Sequence, residues 1–328
     1  MDLEKVECFL QVAEFGSINR AAIELDMTQP ALSRRIAALE HELGVRLLNR
    51  DAHGVKLTDA GEKLVRAAPP ILRRAHLLRS EIGHQSQANV AIGMPLSMHR
   101  LITVPFTVNT IAQQPSVKLQ VFEAFNHHLR EWSEQGIVDA AIMSFSERAL
   151  PGTVQTPLVR EQLLLVAPSD YGLQPDTLVT ADQIGSIPLL LPGRPNVIRN
   201  SVAGYLKRHG QTFTRAAEVE TLALCLALVR NRLGYAVMPY CALHELPDLD
   251  TLSFAPIKGL FITWSIFRSQ ERRHSLGLQQ VTNALEERIR QEVRCRRWRY
   301  ATLASEAGGG AATTDANDQF DSSLSQTS

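Results

Sequence analysis

Apolar positions near the start of the chain recur at helical spacing in two short runs with almost nothing between them. Ile18, Ala21, Ala22 and Leu25 make one stripe, and Ala31, Leu32, Ile36 and Leu39 make a second. Each stripe lies on one face of a helix. Ser17 precedes the first run and Thr28 the second, and both side chains can accept a bond from a free first-turn N–H. Pro30 falls in the first turn of the second helix, where a missing N–H costs nothing. The pattern predicts a helix from Ser17 to about Leu25, a turn at Asp26-Met27, and a second helix capped by Thr28. The two alanines let the second helix cross closely. Gln29, Ser33, Arg34 and Arg35 are left facing outward near its N-terminal end.

Further on, the segment from Arg46 to Thr58 reads as two short strands around a His53-Gly54 turn, with Arg50, His53 and Lys56 at its edge. Thr58 caps a third pattern, helical from Asp59 to about His84. Its stripe of Leu64, Ala67, Ala68, Ile71, Leu72, Ala75, Leu78 and Ile82 is too wide for a lone surface helix, so something must cover it. Pro69-Pro70 should kink it. Arg66, Arg73, Arg74 and Arg79 occupy the other face, and Gln85–Asn89 is a polar hinge.

Beyond the hinge, strands and helices alternate. Strands are predicted at Val90–Gly93, Val117–Val121, Val138–Met143, Leu163–Ala167, Pro188–Leu191, Gly234–Met238 and Leu260–Phe267. Helices are predicted at Arg100–Gln113, His127–Gln135, Ile198–His209, Thr221–Arg230 and Leu276–Arg290. This is an α/β arrangement of two lobes, with the chain returning to the first lobe at the end. Arg288, Arg290, Arg294, Arg296, Arg297 and Arg299 surround Trp298 at the end of the last helix, as a solvated terminus or an extra phosphate contact. From Ala301 the chain is Gly, Ala, Ser, Thr and Asp with one aromatic, which predicts disorder.

Composition narrows the chemistry. The 328 residues carry 34 Lys and Arg against 34 Asp and Glu, for no net charge, and 45% are hydrophobic. The first 61 residues hold seven basic and ten acidic side chains, so a nucleic-acid reading rests on where the cations sit, not on their sum. No apolar run spans a bilayer, and Leu222–Val229 is far too short. The acidic, amphipathic start is no signal peptide, so a cytoplasmic address without membrane contact is expected. Cys8, Cys225, Cys241 and Cys295 form no CxxC pair, which predicts neither zinc site nor disulfide framework. His99, His127 and His128 have no Cys or carboxylate spaced with them and read as surface or rim groups. A serine-nucleophile elbow, a phosphate-cradling Gly loop and an H-E-x-x-H motif are all absent, so no catalytic residue, cofactor or metal is expected.

The outward set on the second helix has a definite chemistry. Gln can bond adenine at two edge atoms and Arg can bond guanine at O6 and N7. Ser, Thr and a helix N-terminus suit phosphate oxygens. A helix-turn-helix presents such residues to the DNA major groove, so a gene regulator is expected. An ordinary three-helix module would use the same stripes as core, and the pattern alone does not separate the two.

At this point the sequence resembles the LysR-type transcriptional regulators. The matching residues are Phe9, Val12, Ala13, Gly16, Ser17, Arg20, Ala21, Ala22, Leu25, Gln29, Ala31, Leu32, Ser33, Ile36, Leu39, Glu40, Leu43, Gly44, Leu47, Arg50, Leu57, Thr58, Ala60 and Gly61. A weaker likeness continues to about residue 290. Leu48 stands where the family usually has Phe, and His53 where a second wing Arg is common. The resemblance implies a winged helix-turn-helix over 1–58, a linker and dimerisation helix with hinge over 59–89, and a periplasmic-binding-protein-like effector domain over 90–300. In that division lobe I takes about 90–162 and 266–300, lobe II about 163–265, and 301–328 is a disordered tail. It implies that Gln29, Pro30, Ser33 and Arg34 meet promoter DNA, with Ser17, Arg20 and Thr28 beside them and Arg50 and His53 in the wing. Implied partners are double-stranded DNA, a small-molecule effector, a second copy through the linker helix and then a tetramer, and RNA polymerase for an activator, all on the bacterial nucleoid. Around Leu191–Asn196 and Gly136–Ile142 the likeness is to the nitrogen-assimilation branch, in motifs common across the family.

Ligands of such sheets sit beyond strand C-termini, in the crevice between lobes. That places Ser97, Phe125, Asn126, Arg194, Asn196 and Met238 as effector contacts, with Pro195 and Pro239 beside them. The Ser97 hydroxyl and neighbouring N–H groups could hold a carboxylate, hence an anionic metabolite. Two other readings stay open: a two-lobed enzyme or transport-type binding protein with an accessory N-terminal domain, and a redox sensor pairing Cys225 with Cys241. Cys225 lies on the apolar face of its helix, which favours core.

Overall fold

Three short helices, each opened by a side-chain cap, build the N-terminal module: α1 (Leu3–Phe15), α2 (Ile18–Glu24) and α3 (Gln29–Leu43). The computed structural model describes residues 2–51, 54–82 and 88–307. Asp2, Ser17 and Thr28 accept from the N–H groups of Glu4, Arg20 and Ala31, as the cap pattern predicts for the latter two helices. Gly16 and Gly44 end α1 and α3 in the left-handed region. Ala21 and Ala22 are buried against Val6, Phe9, Val12, Leu32, Ile36 and Leu39. Strands β1 (Leu48–Asp51) and β2 (Gly54–Leu57) pair antiparallel, as the wing requires.

Helix α4 (Asp59–Ile82) continues as one element through Pro69 and Pro70. Its first half closes the module: Ala68 and Leu72 are buried in the module core, with Leu64 and Val65 packed on it. Ile71 and Leu78 point elsewhere and are 48% and 56% exposed. Arg73 reaches across to the next domain, where its Nη2 lies 2.5 Å from Asp139 Oδ2 and its Nη1 donates to Gly136 O. Asp139, only 2% exposed, also accepts from Ala91 N and pairs with Arg272. Of the expected hinge, Gln85, Ser86 and Gln87 lie outside the described residues, whereas Ala88 and Asn89 already belong to a strand.

That strand is β3 (Ala88–Pro95). A 3₁₀ turn at Leu96–Met98 and a π turn at His99–Thr103 lead into α5 (Val104–Gln113), so the first helix of this domain starts earlier and less regularly than its pattern suggests. Then follow β4 (Val117–Ala124), α6 (Asn126–Glu134), β5 (Ala140–Ser144) and β6 (Thr153–Pro168). The second lobe holds α7 (Ala181–Gly185), β7 (Pro188–Leu191), α8 (Val197–Arg208), β8 (Thr214–Glu218), α9 (Leu222–Arg230) and β9 (Tyr235–Pro239). The chain returns through β10 (Leu252–Ser269) and ends in α10 (Leu276–Arg294), β11 (Ala301–Leu303) and α11 (Ala304–Ala307).

The described strands of this domain run in the order β4-β3-β5-β10-β6-β9-β7-β8, with β11 added on β6. Within each lobe the outer three strands are parallel: β4, β3 and β5 in one, β9, β7 and β8 in the other. The long antiparallel pair β6 and β10 runs through both lobes and joins them. Its register breaks between Pro256 and Phe261, so Phe261–Ser265 already pair with the lobe I half of β6, earlier than the predicted return at 266. The apolar pattern marks only the C-terminal end of β6 and the second half of β10, because Pro157, Glu161-Gln162 and Lys258-Gly259 interrupt the apolar runs. It missed β8, an edge strand that is mostly exposed and has no apolar face. It also placed Ala301–Ala307 in a disordered tail. There Ala301–Leu303 pair with Val159–Glu161 and Leu303 is buried, so a small apolar segment finds an open strand edge. The Arg-rich end is held by carboxylates: Arg288 and Arg297 on Glu292, and Arg290 on Glu286. Trp298 is 1% exposed, so the aromatic of that segment belongs to the core, while Arg294, Arg296 and Arg299 stay exposed.

Candidate nucleic-acid interface and ligand cleft

The exposed edge of α3 is built from its cap outward. Thr28, Gln29, Pro30 and Arg34 are exposed, and Ser33 is half-buried. Gln29 Nε2 donates to Ser33 Oγ at 2.9 Å and Arg34 Nε donates to Pro30 O at 3.3 Å. These bonds lie along one helix edge and hold the side chains in place. Arg20 is exposed on α2 with its guanidinium 5.9 Å from the Phe15 ring, and Ser17 is half-buried at the helix start. Arg35 departs from its outward expectation. Its guanidinium faces α1, where it meets Cys8 Sγ at 3.7 Å and Glu4 at 3.9 Å.

The wing is fixed to α3 by one carboxylate. Glu40 Oε1 accepts from Leu47 N at 2.7 Å and Leu48 N at 3.1 Å, just before and at the start of β1. Val55 N donates to Gly16 O, tying β2 to the turn between α1 and α2. Thr58 Oγ1 accepts from Gly61 N and donates to Arg46 O, which sets α4 against the wing base. At Gly61 a Cβ would stand 2.2 Å from Leu47 O, so only glycine permits this approach. Arg50 sits in β1 opposite Val55, and His53 lies outside the described residues.

Between the lobes, a cleft of about 880 Å³, partly open to solvent, is lined by the C-terminal ends of β3, β4, β7 and β9 and the turns after them. Strand order reverses around β3 and β7, where parallel sheets leave a crevice. Five of the six expected contacts, Ser97, Phe125, Asn126, Asn196 and Met238, are brought together in this lining. Arg194 is not. It is exposed on the loop after β7, where Gly193 N is held by Glu220 Oε1 at 2.8 Å and Asn196 turns the chain by capping Ile198 N and Arg199 N.

The lining also includes residues that pattern reading missed. Leu96, Thr221, Leu222, Cys225 and Trp264 face the space, with Glu220 at its edge. Thr221 follows β8 and caps α9, so the strand-end rule would have found it had β8 been recognised. No Lys or Arg is in the lining, and most of it is apolar. Asn126 Oδ1 already accepts from Ser144 N, and the Asn196 oxygen is used by its helix. The expectation of an anionic ligand therefore finds no cationic side chain here.

Behind the cleft floor lies Glu161 on β6, fully buried. Its Oε2 accepts from Trp264 Nε1 at 2.7 Å and its Oε1 from Cys241 N at 3.0 Å. Burial pushes this carboxyl up to about 7, against the pull of those N–H groups. Burial likewise pushes the Cys225 thiol up to about 11, and burial also raises that of Cys241 well above the usual thiol range, with the Glu161 charge adding to it. Thiols held protonated are poor nucleophiles, which weighs against a redox pair. His99, expected to lack a carboxylate, meets Glu123 at 2.8 Å from the neighbouring strand. Among the described residues no cluster of three or more His, Cys, Asp or Glu is placed to hold a metal, and no helix is long and apolar enough to cross a membrane.

Two family models match the chain. One, a bacterial regulatory helix-turn-helix protein of the lysR family, covers residues 3–62, and the other, the LysR substrate binding domain, covers 83–290. The nitrogen assimilation regulatory protein nac of Klebsiella aerogenes is 28% identical over 85% of this chain and 92% of its own length. Its counterpart from Escherichia coli K12 is 30% identical over 75% and 81%. Among solved structures, full-length CbnR complexed with its target DNA matches at a TM-score of 0.68 with 22% identity, covering 89% of this chain and 99% of that one, which shows a shared fold.

Proposed function

The chain belongs to the LysR family of bacterial transcriptional regulators, and from that premise we propose how its parts divide the work. Residues 1–58 form the winged helix-turn-helix, 59–87 the linker helix and hinge, and 88–307 the effector domain. Gln29, Pro30, Ser33 and Arg34 enter the major groove of promoter DNA. Ser17, Arg20 and Thr28 hold the phosphates beside it, and Arg50 and His53 extend the contact from the wing. A small molecule with a largely apolar body occupies the inter-lobe cleft and contacts Ser97, Phe125, Asn126, Asn196 and Met238. It acts by population shift: it binds one arrangement of the assembly better than another and so biases the DNA geometry.

Two exposed apolar patches support a tetramer. The uncovered Ile71 and Leu78 of α4 suit a dimer through the linker helix, and Val104, Val108 and Ile111 make an exposed stripe along α5 for a second contact. An activator built this way would also touch RNA polymerase, working on the nucleoid in the bacterial cytoplasm. Its curated relatives are named as regulators, and we assign no catalytic residue.

The observation that carries the reading is the pair of family matches, which together cover a DNA-reading module and a ligand-binding module. The test is footprinting of the full chain on the DNA upstream of its own gene, across a salt series, beside Arg34→Ala. Loss of a good base contact costs about 1–3 kcal/mol, roughly fivefold to 150-fold in affinity. The variant should therefore lose the footprint while keeping weak, salt-sensitive binding. Absence of specific binding by the folded wild-type chain at low salt would overturn the reading.

A further inference from the structure

A second cavity lies on lobe I, where β10 ends and α10 begins. Its space of about 770 Å³, partly open, is bounded by Arg268, Arg272 and Arg273 and by the side chains of Ser269, Gln279 and Asn283. The lining holds no carboxylate. The nearby acids stand behind it and are shared: Glu286 serves Arg268 and Arg290, and Asp139 serves Arg73 and Arg272. Glu287 lies 3.6 Å from Arg290. Four guanidiniums, of Arg73, Arg268, Arg272 and Arg290, thus share three carboxylates, none of which lines the cavity. The field shows on Arg268 itself, whose guanidinium is held below its usual range by burial and by repulsion from Arg290. Arg272 is 12% exposed and Arg268 26%, so these cations are fixed groups and not mobile surface chains.

The arrangement has the chemistry of oxyanion recognition. Guanidiniums offer paired donors that match the oxygens of carboxylate or phosphate. Amide and hydroxyl groups of Gln279, Asn283 and Ser269 beside them supply further polar partners. The inter-lobe cleft has none of these cations. We propose that the Arg268–Arg272–Arg273 cavity is a second ligand site, for a small molecule bearing a phosphate or carboxylate group. The ligand would sit one side chain from α4, because Arg272 shares the Asp139 carboxylate with Arg73 of that helix. The site is independent of the DNA-binding reading, since it can be assayed on the folded chain without DNA.

The test is calorimetric titration of the full chain with inorganic phosphate, and separately with succinate, at ionic strength held constant with sodium chloride. Two variants localise the binding. Arg273→Gln removes an exposed cation whose Nε donates to His274, and Asn283→Asp places a competing carboxylate at an exposed position in the lining. Unchanged melting of both without ligand checks the fold. The expected result is saturable one-site binding by at least one probe, weakened about tenfold or more in each variant. Which probe binds tells a phosphate site from a carboxylate site. No saturable binding of either probe, or wild-type affinity in both variants, overturns the proposal.

Discussion

Glu161 shows how a single side chain can carry a pH dependence that its sequence neighbours do not announce. It sits in Arg160-Glu161-Gln162, which reads as a polar interruption between apolar runs, yet it is fully buried between Trp264 and Cys241. Its carboxyl titrates near 7 in the folded chain against an ordinary 4.5. The folded value is raised, so the native state holds a proton that the unfolded chain has lost between those two values. Stability therefore falls as pH rises through that window, and the loss is complete above about 7. A shift of this size is worth about 3 kcal/mol. Glu161→Gln removes the titration, and chemical unfolding at pH 5 and pH 8 should show the variant gaining by roughly that amount relative to wild type. Parallel curves for the two proteins would contradict the assignment. By contrast the place of Ser97 and Asn196 in the cleft lining is legible, because each lies just past a buried strand and before a helix, where chain turns converge on the crevice. Arg194 shares that neighbourhood but not the lining, since loop direction is set by the Gly193–Glu220 and Asn196 bonds, which no spacing encodes.

Elements differ in how far local rules reach. The caps of α2 and α3, the wing strands and the strand-helix alternation follow from residues a few positions apart, and each was readable. The attachment of the wing was not: Glu40 is seven and eight positions from the amides it accepts, and only the fold of the α3–β1 corner brings them together. Glu40→Ala would strand two N–H groups next to the buried Leu47 and Leu48, at a cost of about 1.5–3 kcal/mol. Amide exchange at Leu47 and Leu48 should accelerate accordingly, with Glu40→Gln restoring most of the protection because it keeps an acceptor. Equal exchange in wild type and Glu40→Ala would show that the strand is held by packing alone. The strands β6 and β10 failed local reading for the opposite reason. Each is too long and too mixed to show one periodicity, because its two halves lie in different lobes with different buried faces.

At the scale of the whole molecule, the uncovered part of α4 is the feature with the clearest consequence. Ile71 and Leu78 project away from the module core that buries Ala68 and Leu72. A double variant, Ile71→Glu with Leu78→Glu, should sediment at half the wild-type mass or less and lose affinity for a two-half-site operator, while single-chain melting of the effector domain stays unchanged. An assembly of unaltered mass would place the self-contact elsewhere, with the α5 stripe next to be tested. The chain's own sequence determined the helix-turn-helix, its outward polar edge, the α/β class and the family, because these depend on periodicity, capping and ordered matches over short spans. Tertiary structure alone decided the depth of Glu161, the direction of Arg35, the shared Asp139 carboxylate and the charge of the second cavity. Those depend on which distant segments meet in space, and burial and electrostatic field are properties of that meeting.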